Sequence, residues 1–387
     1  MGLNLGERCG CVMQSDIRSM SIECARIGGI NLSQGVCDTP VPIEVLQGAV
    51  DAISQGVNTY THHAGIRELR EAISAKQQRF TGMEFDPDTE IVVSAGATGA
   101  MYCAFQALLN RGDEVIVFEP YYGYHVSTLL AVEAVPVFVP LDPPDWSFRP
   151  EILEAAVTPR TRALLVNTPA NPSGKVFSLQ ELSLIADFAI RHDLFVFTDE
   201  MYEHFVYDGL LHRSLATIAG MKERTITVSG LSKTFSVTGW RIGYALCDAR
   251  WAGAIGHFND LFYVCAPSPL QAGVTAGLRL LDDSYYLGLS VEYGAKRDLF
   301  CKALEEAGLR PHIPQGAYYV LADTDSVPGA TAKERAMYIL HKTGVASVPG
   351  SAFFHGQGGK SLVRFCFAKE GPVLEEACEK LLKLRLS

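Results

Sequence analysis

The stretch SGLSKTFSVTGWRIGY, residues 229–244, contains two cationic side chains that could take part in chemistry. Lys233 and Arg241 lie in an otherwise apolar segment, with no acidic residue between them. An ammonium group in apolar surroundings is unfavourable unless the amine is neutral or covalently bonded. Desolvation lowers the pKa of a lysine, and a neutral lysine amine can form a Schiff base with a carbonyl compound. The stretch therefore predicts a reactive lysine at position 233.

Other polar, aromatic and small residues follow short apolar runs elsewhere in the chain. The segment AGATGA (95–100) and the residues Tyr122, Asn171 and Asp199 each come after such a run. In an open parallel sheet, ligands bind outside the carboxyl ends of the strands, where loops and helix N-termini meet. Together with Lys233, these strand ends predict one site that is assembled from five segments.

Each of these features also has a structural interpretation. The AGATGA turn could be only a tight connection, or it could present the backbone N–H groups of Ala97 and Thr98 to an anion such as phosphate. Asp199 could be a helix N-cap, Asn171 could belong to a proline-rich turn, and Tyr122 could fill the core. Lys233 is harder to explain in structural terms alone, because a lysine in so apolar a stretch pays for desolvation unless its amine is neutral or covalently bonded.

The elements that would position these residues alternate between strands and helices over about residues 45–285. Several of the apolar runs show no polar alternation, as expected for strands of a sheet that is covered on both faces. The predicted strands are IVVS (91–94), EVIVF (114–118), VPVFV (135–139), ALLVN (163–167), LFVFT (194–198), TITVS (225–229) and IGYAL (242–246). Helical spacing is found in GAMYCAFQALLN (99–110), RPEILEAAV (149–157) and SLQELSLIADFAIRH (178–192). The sequence thus predicts a large α/β domain at 45–285, with a mostly parallel seven-stranded sheet.

The pattern changes after about residue 286. A long amphipathic helix, LSVEYGAKRDLFCKALEEAG (289–308), is followed by the predicted strands YYVLAD (318–323), VASVPG (345–350) and LVRFCFA (362–368). GPVLEEACEKLLKLRL (371–386) predicts a closing helix. We expect a smaller α+β domain formed by residues 1–44 and 286–387.

Composition excludes several classes of function. The 387 residues have a net charge of −10 and no run of Lys or Arg, which argues against nucleic-acid binding. There is neither a signal-peptide pattern nor an apolar stretch long enough for a bilayer, so we expect a cytoplasmic protein that does not bind membranes. The ten cysteines lack zinc-ligand spacing, so free, mostly buried thiols and no metal site are expected.

The motifs together resemble one family. GLSKTFSVTGWRIG (230–243) is similar, position by position, to the lysine signature of class I, fold-type I pyridoxal-phosphate aminotransferases. Further similar segments occur in the family's order along nearly the whole chain: INLSQGVCDTPVP, YTHHAGIRELREAI, NTPANPSGKVF, TDEMYEHFVYDG and VRFCFA. The resemblance implies an aminotransferase with pyridoxal 5'-phosphate as cofactor.

The resemblance also implies roles for residues that would surround the cofactor ring. Lys233 resembles the lysine that binds the cofactor as a Schiff base and later transfers a proton. Asp199 resembles the acid that pairs with the pyridine nitrogen. Tyr202 and Asn171 resemble the donors to the ring hydroxyl, and Tyr122 resembles the aromatic residue stacked on the ring.

Other implied roles concern the cofactor phosphate. Ala97, Thr98 and Arg241 resemble phosphate ligands, and a guanidinium suits a phosphate because it binds two oxygens and stays charged. Tyr60 is similar to a tyrosine that reaches the phosphate of the neighbouring subunit. The resemblance therefore implies a homodimer with shared active sites.

The substrates implied are an amino acid and a 2-oxo acid. Arg364 resembles the residue that binds the substrate α-carboxylate, while Gly35 and Asn171 resemble residues on the substrate side. Family members that prefer dicarboxylic acids often use a second arginine from the other subunit, but HFNDLFYVCAPSPLQ (257–271) contains no Arg or Lys. We therefore expect a neutral, apolar or aromatic amino donor, as in the branch of methionine, glutamine, kynurenine and aromatic aminotransferases.

Two alternatives share the same motifs. A carbon–sulfur β-lyase or an oxidase-like enzyme on this fold would also use Lys233, Asp199 and Arg364. A non-catalytic domain that only senses the cofactor is the third interpretation, although no basic helix-turn-helix pattern precedes residue 45.

Overall fold

A seven-stranded sheet forms the centre of the computed structural model, which describes residues 3–10 and 15–385. The described strands are β1 (Ile30–Asn31), β2 (Ile91–Ala95), β3 (Glu114–Glu119), β4 (Val135–Pro140), β5 (Thr161–Asn167), β6 (Phe195–Asp199), β7 (Thr225–Gly230), β8 (Ile242–Leu246), β9 (Arg310–His312), β10 (Tyr319–Asp323), β11 (Val345–Ala346), β12 (Val348–Pro349) and β13 (Leu362–Cys366). The central sheet has the order β2-β8-β7-β6-β5-β3-β4. All seven strands that the sequence predicts for it are present.

Helices cover the sheet and its flanks. The α-helices of the described residues are α1 (Asp16–Arg26), α2 (Ile43–Ser54), α3 (Arg67–Thr81), α4 (Gly96–Leu108), α5 (Gly123–Ala131), α6 (Pro150–Ala155), α7 (Leu179–Arg191), α8 (Ala249–Tyr263), α9 (Ser268–Leu280), α10 (Asp283–Glu306), α11 (Ala332–Thr343) and α12 (Gly371–Leu381). Short 3-10 turns lie at Glu7–Gly10, Leu215–Thr217, Thr238–Trp240, Gly350–Phe353 and Leu382–Leu384. None of the helices in this part of the chain combines the length and the apolarity that a membrane crossing requires.

The continuous apolar runs have a direct structural explanation. In β3, Val115 and Val117 belong to one buried cluster, whereas Ile116 and Phe118 belong to the cluster on the opposite face. Because successive side chains of a strand point to opposite faces, a sheet with cores on both faces requires apolar residues at every position. The sheet of this protein is therefore covered on both sides, as the sequence predicts.

One strand of the central sheet is antiparallel to the others, and it places an arginine at the edge where the parallel strands end. Strand β8 pairs antiparallel with both β7 and β2, and Gly243 lies opposite Gly230. The carboxyl ends of β2 and β7 therefore meet the amino end of β8. Arg241, which directly precedes β8, lies at the same edge as the residues that follow the parallel strands.

The C-terminal region forms a second sheet of order β12-β13-β10-β9. The predicted strand VASVPG is wrong in one respect, because it forms two separate short strands. Val345–Ala346 pairs in parallel with Ile30–Asn31, whereas Val348–Pro349 pairs antiparallel with β13. Because of the break between β11 and β12, the segment pairs with the N-terminal strand β1 at one end and with the second sheet at the other. The division into domains at 1–44, 45–285 and 286–387 stays a prediction.

A buried ion pair connects α3 to the central sheet. Lys76 Nζ lies 2.6 Å from Glu203 Oε2, and the two side chains are only 3% and 4% exposed. Lys76 also donates to the Tyr244 hydroxyl at 3.1 Å, and Ser229 donates to Glu203 Oε1 at 2.8 Å. Burial raises the pKa of Glu203, but the charge and hydrogen bond of Lys76, together with the charges of His204 and His212, hold that pKa below its usual range. Ser229 lies four residues before Lys233, so the pair supports the end of β7.

Glu203→Gln should destabilise the protein by about 3–5 kcal/mol, because it leaves the Lys76 ammonium buried without a counter-charge. The double variant Lys76→Met, Glu203→Leu should recover much of that loss. Denaturant unfolding of the three proteins measures both effects. The control is Glu71→Gln on the same helix as Lys76, which breaks an exposed pair with Arg67 and should cost about 1 kcal/mol or less. Equal effects of Glu203→Gln and the control would contradict the prediction.

Candidate active site

A cavity of about 530 Å³ opens at the carboxyl edge of the central sheet. It is lined by ten of the eleven residues that the sequence predicts for the site: Gly35, Ala97, Thr98, Tyr122, Asn171, Asp199, Tyr202, Lys233, Arg241 and Arg364. Tyr60 does not line the cavity, and its side chain is 82% exposed. The structure thus brings the predicted residues of five strand ends together and leaves Tyr60 at the surface.

Lys233 enters the cavity just after β7. Its Nζ donates a hydrogen bond to the carbonyl of Gly35 at 2.7 Å and lies 5.9 Å from the centre of the Tyr318 ring. Within the described residues, no carboxylate forms an ion pair with this amine. Burial is the main cause that lowers the pKa of Lys233, and the charges of Arg241 and Arg364 lower it further. A lysine with a lowered pKa is available as the neutral nucleophile.

Asp199 ends β6 and is fixed by two contacts. Its Oδ2 lies 2.7 Å from His125 Nε2, and its Oδ1 accepts a hydrogen bond from the backbone N–H of Met201 at 3.2 Å. The rings of His125 and Tyr122 meet edge to face at 5.3 Å. His125 is not among the residues predicted from the sequence, where its only signal is its place three residues after Tyr122 in the first turn of α5.

The end of β2 and the start of α4 together form a potential anion-binding site. No side chain caps the N-terminus of α4, so the N–H groups of its first turn, including those of Ala97 and Thr98, have no partner within the helix. A β-carbon at Gly96, whose φ is +78°, would overlap the guanidinium of Arg241, and one at Gly243 would overlap the backbone of Ala97. Glycine at these two positions allows the arginine and the helix N-terminus to approach each other. The arrangement favours a phosphate.

Arg364 is the largest of the fully buried side chains. Its Nη1 donates to Asn171 Oδ1 at 2.8 Å and its Nη2 donates to the carbonyl of Ser33 at 2.6 Å, whereas its Nε has no partner in the described structure. The guanidinium lies 4.3 Å from the centre of the Tyr319 ring and 4.8 Å from that of Phe353. A buried cation with an unused donor at a cavity suits a carboxylate ligand.

Two tyrosines lie on the side of the cavity formed by the second sheet. The hydroxyls of Tyr202 and Tyr319 are 2.9 Å apart. Burial raises the pKa of Tyr202 well above its ordinary value, so the hydroxyl stays protonated and can donate. A β-carbon at Gly35 would overlap the Tyr319 hydroxyl, which explains the glycine at that position. Tyr319 was not predicted as a site residue, because the pattern of its strand does not indicate which side chains point into the cavity.

The known proteins that this chain resembles are aminotransferases. The family model for aminotransferase class I and II matches residues 27–381. The probable N-succinyldiaminopimelate aminotransferase DapC of Mycobacterium tuberculosis is 38% identical over 94% of both chains. Aromatic-amino-acid aminotransferase 2 of Thermococcus litoralis is 34% identical over 98% of both chains. The solved structure of N-succinyldiaminopimelate aminotransferase from Mycobacterium tuberculosis has a TM-score of 0.95 and 37% identity, covering 98% of this chain and 100% of that chain.

Lys233→Met should raise the melting temperature of the ligand-free protein at neutral pH by roughly a few degrees. The folded-state pKa of Lys233 lies below the unfolded value of about 10.4, so the folded state binds fewer protons than the unfolded chain. The resulting destabilisation is present at neutral pH and disappears as the pH rises through the unfolded pKa. Calorimetry over a pH series should therefore show a gain that shrinks toward alkaline pH.

The matched control is Lys302→Met, because the Lys302 side chain is 76% exposed. This variant should leave the melting temperature nearly unchanged at every pH. A gain at Lys233→Met that grows with pH, or a lower melting temperature at neutral pH, would contradict the prediction.

Proposed function

The chain belongs to the class I and II aminotransferase family, and we propose that its amino donors are neutral, apolar or aromatic L-amino acids. As a family member it is a pyridoxal-phosphate-dependent aminotransferase of fold type I. The family, the fold, the activity and the cofactor predicted from the sequence are thereby confirmed. In our proposal, the amino acid and the 2-oxo acid use the same cavity in turn, in a ping-pong exchange.

The cavity residues fit pyridoxal 5'-phosphate. The free N–H groups at Ala97 and Thr98 and the guanidinium of Arg241 provide donors and positive charge for its phosphate. The Arg241 guanidinium can lie beside this helix N-terminus because position 96 is a glycine. When bound, the cofactor supplies a ring that accepts electrons from the substrate.

We assign the polar residues deeper in the cavity to the ring. Asp199 would keep the ring nitrogen protonated, and His125 holds the Asp199 carboxylate in place. Tyr202 and Asn171 would donate to the ring hydroxyl, and Tyr122 would lie against the ring. The protonated state of the Tyr202 hydroxyl supports its assignment as a donor.

Lys233 has two successive tasks in this proposal. Its neutral amine would hold the cofactor covalently until an amino acid takes its place. The freed Nζ would then accept the proton from the substrate Cα and donate it to the cofactor carbon that receives the amino group. The lowered pKa supports both tasks, because each requires an unprotonated amine.

We assign Arg364 to the α-carboxylate that donor and acceptor have in common. Its contacts with Asn171 and Ser33 orient the guanidinium, so that it need not rearrange when a substrate arrives. Gly35 leaves room for the Tyr319 hydroxyl on the substrate side of the cavity and offers its carbonyl to the resting lysine.

One observation carries the proposed donor class: no buried cation remains for a second carboxylate. Of the described residues that line the cavity, Lys233, Arg241 and Arg364 have roles that every substrate needs, and Arg18 is exposed. Apolar and aromatic side chains line the cavity at Ile17, Val36 and Met101, as well as at Tyr122 and Tyr124. Such a wall favours an apolar substrate side chain, because its burial is favourable.

The donor class is tested by mixing the purified holoenzyme with single amino acids in the absence of an acceptor. Leucine, methionine, phenylalanine and kynurenine should each convert the cofactor to its amino form, followed by absorbance, with one equivalent of 2-oxo acid formed. Aspartate and N-succinyl-diaminopimelate serve as acidic comparisons and should react at least tenfold more slowly. Faster reaction with the acidic donors would overturn the proposed class, and release of pyruvate and ammonia from cystathionine would indicate a β-lyase instead.

We propose further that the protein is a homodimer. An exposed apolar patch consists of Val57, Tyr60, Leu261, Phe262 and Val264. Exposed apolar clusters of this kind mark protein interfaces. A second copy that covers the patch would place Tyr60 near the partner's cofactor, as the family resemblance implies.

Two hydrogen bonds indicate that the residues of the patch form one continuous surface. Ser268 donates to the carbonyl of Thr59 at 2.5 Å, and Asn259 donates to the carbonyl of His63 at 2.6 Å. These bonds hold the segment that carries Tyr60 against the end of α8 and the start of α9.

Subunit mixing tests the homodimer and the position of Tyr60 together. Lys233→Ala should be inactive, and Tyr60→Ala should bind the cofactor more weakly. In heterodimers of the two variants, one site regains both side chains, so random mixing should restore about a quarter of the native sites. Activity recovered at limiting cofactor measures this effect. If Tyr60 acted within its own subunit, mixing would restore nothing.

A further inference from the structure

A second tyrosine adjoins the hydroxyl that we assign to the cofactor ring. Tyr319 begins β10, and its hydroxyl lies 2.9 Å from that of Tyr202. Both side chains are buried and line the cavity. Within the described residues, neither hydroxyl has another hydrogen-bond partner. The proposed reaction uses Tyr202 and gives Tyr319 no part, although the two hydroxyls are in contact.

Two neighbours fix the position of the Tyr319 side chain. Strand β10 pairs antiparallel with β13, so that Tyr319 and Arg364 are diagonal neighbours on adjacent strands. The guanidinium of Arg364 lies 4.3 Å from the centre of the Tyr319 ring. A β-carbon at Gly35 would overlap the Tyr319 hydroxyl, so the glycine leaves the space that this hydroxyl occupies. The protein itself therefore holds the Tyr319 hydroxyl beside Tyr202.

The direction of the hydrogen bond follows from what each hydroxyl can do. A tyrosine hydroxyl has one proton to donate and can accept a hydrogen bond as well. Burial raises the pKa of both tyrosines, so both stay protonated, but the charge of Arg364 opposes this effect at Tyr319. Arg364 thus favours Tyr319 as the donor. If Tyr202 gives its proton to the ring oxygen of the cofactor, its own oxygen is left to accept from Tyr319.

We infer that Tyr319 is a positioning residue, which donates a hydrogen bond to Tyr202 and thereby directs the Tyr202 proton to the cofactor ring. The inference rests on the proposed function, in which Tyr202 donates to the ring hydroxyl. Hydrogen bonds in a chain polarise one another, so a hydroxyl that accepts one bond becomes a stronger donor in the next. Without the Tyr319 hydroxyl, that of Tyr202 would lose its partner and could rotate away from the ring.

The measurable consequence concerns the nitrogen that joins Lys233 to the cofactor. Negative charge on the ring oxygen, which the covalent structure of the cofactor places close by, favours the protonated form of this nitrogen. A hydrogen bond from Tyr202 withdraws part of that charge and so lowers the pKa of the nitrogen. Loss of either tyrosine hydroxyl should therefore raise this pKa.

Tyr319→Phe tests the inference by an absorbance titration of the holoenzyme against pH. The variant keeps the aromatic ring against Arg364 and removes only the hydroxyl. The pKa of the Lys233 nitrogen should rise by roughly 0.2–0.6 unit, because one hydrogen bond strengthens the next by about 10–30%. Tyr202→Phe, which removes the bond to the ring itself, should raise it by about one unit or more. An unchanged titration in Tyr319→Phe would overturn the inference.

The double variant Tyr202→Phe, Tyr319→Phe distinguishes positioning from a merely structural role. If Tyr319 acts through Tyr202, its removal should add less than about 0.1 unit once Tyr202 has lost its hydroxyl. Additive shifts would mean that Tyr319 acts on the nitrogen by another route, and they would overturn the inference.

Carboxylate binding gives a second readout for Tyr319→Phe. Calorimetric titration of the holoenzyme with pentanoate, at a pH below both titrations, should give an affinity within about twofold of the parent, because Arg364 keeps the ring beside it. A larger loss would assign Tyr319 to the support of Arg364 instead and would contradict the inference.

The matched control is Tyr318→Phe, at the residue directly before β10. Tyr318 is buried, and its hydroxyl forms a hydrogen bond with neither Tyr202 nor Tyr319. This variant should leave the pKa within about 0.1 unit of the parental value, because it breaks no bond of the chain that leads to the ring. Equal shifts in Tyr318→Phe and Tyr319→Phe would overturn the inference.

The outcomes separate this inference from the proposed function. A parental titration in Tyr202→Phe would overturn the assignment of Tyr202 to the ring, and the inference with it. A shift in Tyr202→Phe without one in Tyr319→Phe would overturn only the role of Tyr319.

Discussion

The site depends on one physical constraint: a partly buried lysine amine has no counter-ion among the residues that the structure describes. Lys233 has the carbonyl of Gly35 as its hydrogen-bond acceptor, and burial lowers its pKa. An ammonium ion is poorly stabilised in that place, whereas a neutral amine or a covalent bond to a carbonyl carbon is well tolerated. The surrounding structure therefore favours the form of the lysine that the chemistry uses.

The remaining charges are arranged around that amine at the carboxyl edge of the sheet. Arg241 lies beside the N-terminus of α4, Arg364 is fully buried on the second sheet, and Asp199 is held by His125. Anionic groups of the cofactor and the substrate supply the negative charge that the cavity lacks. The site is complementary to a phosphate, a protonated ring nitrogen and a carboxylate, which is the combination that an aminotransferase requires.

Rigidity around the site comes from buried polar networks as well as from apolar packing. The pair of Lys76 and Glu203 fixes α3 to the end of β7 through Ser229. In the second sheet, Arg364 is oriented by Asn171 and Ser33, which belong to distant segments of the chain. Such preorganisation limits the movement that binding a substrate demands.

The sequence by itself determined the central sheet and most of the site. Seven apolar runs predicted all seven strands, because a sheet that is buried on both faces leaves a signal at each position. The strand ends and the resemblance of the motifs to one family together identified ten residues that line one cavity. It could not determine the places of His125 and Tyr319, nor the break between β11 and β12. Those features depend on which segments meet in space, and no local pattern records that His125 faces Asp199 or that Tyr319 lines the cavity. Only the tertiary structure decided them, because their effect arises from long-range contacts and burial.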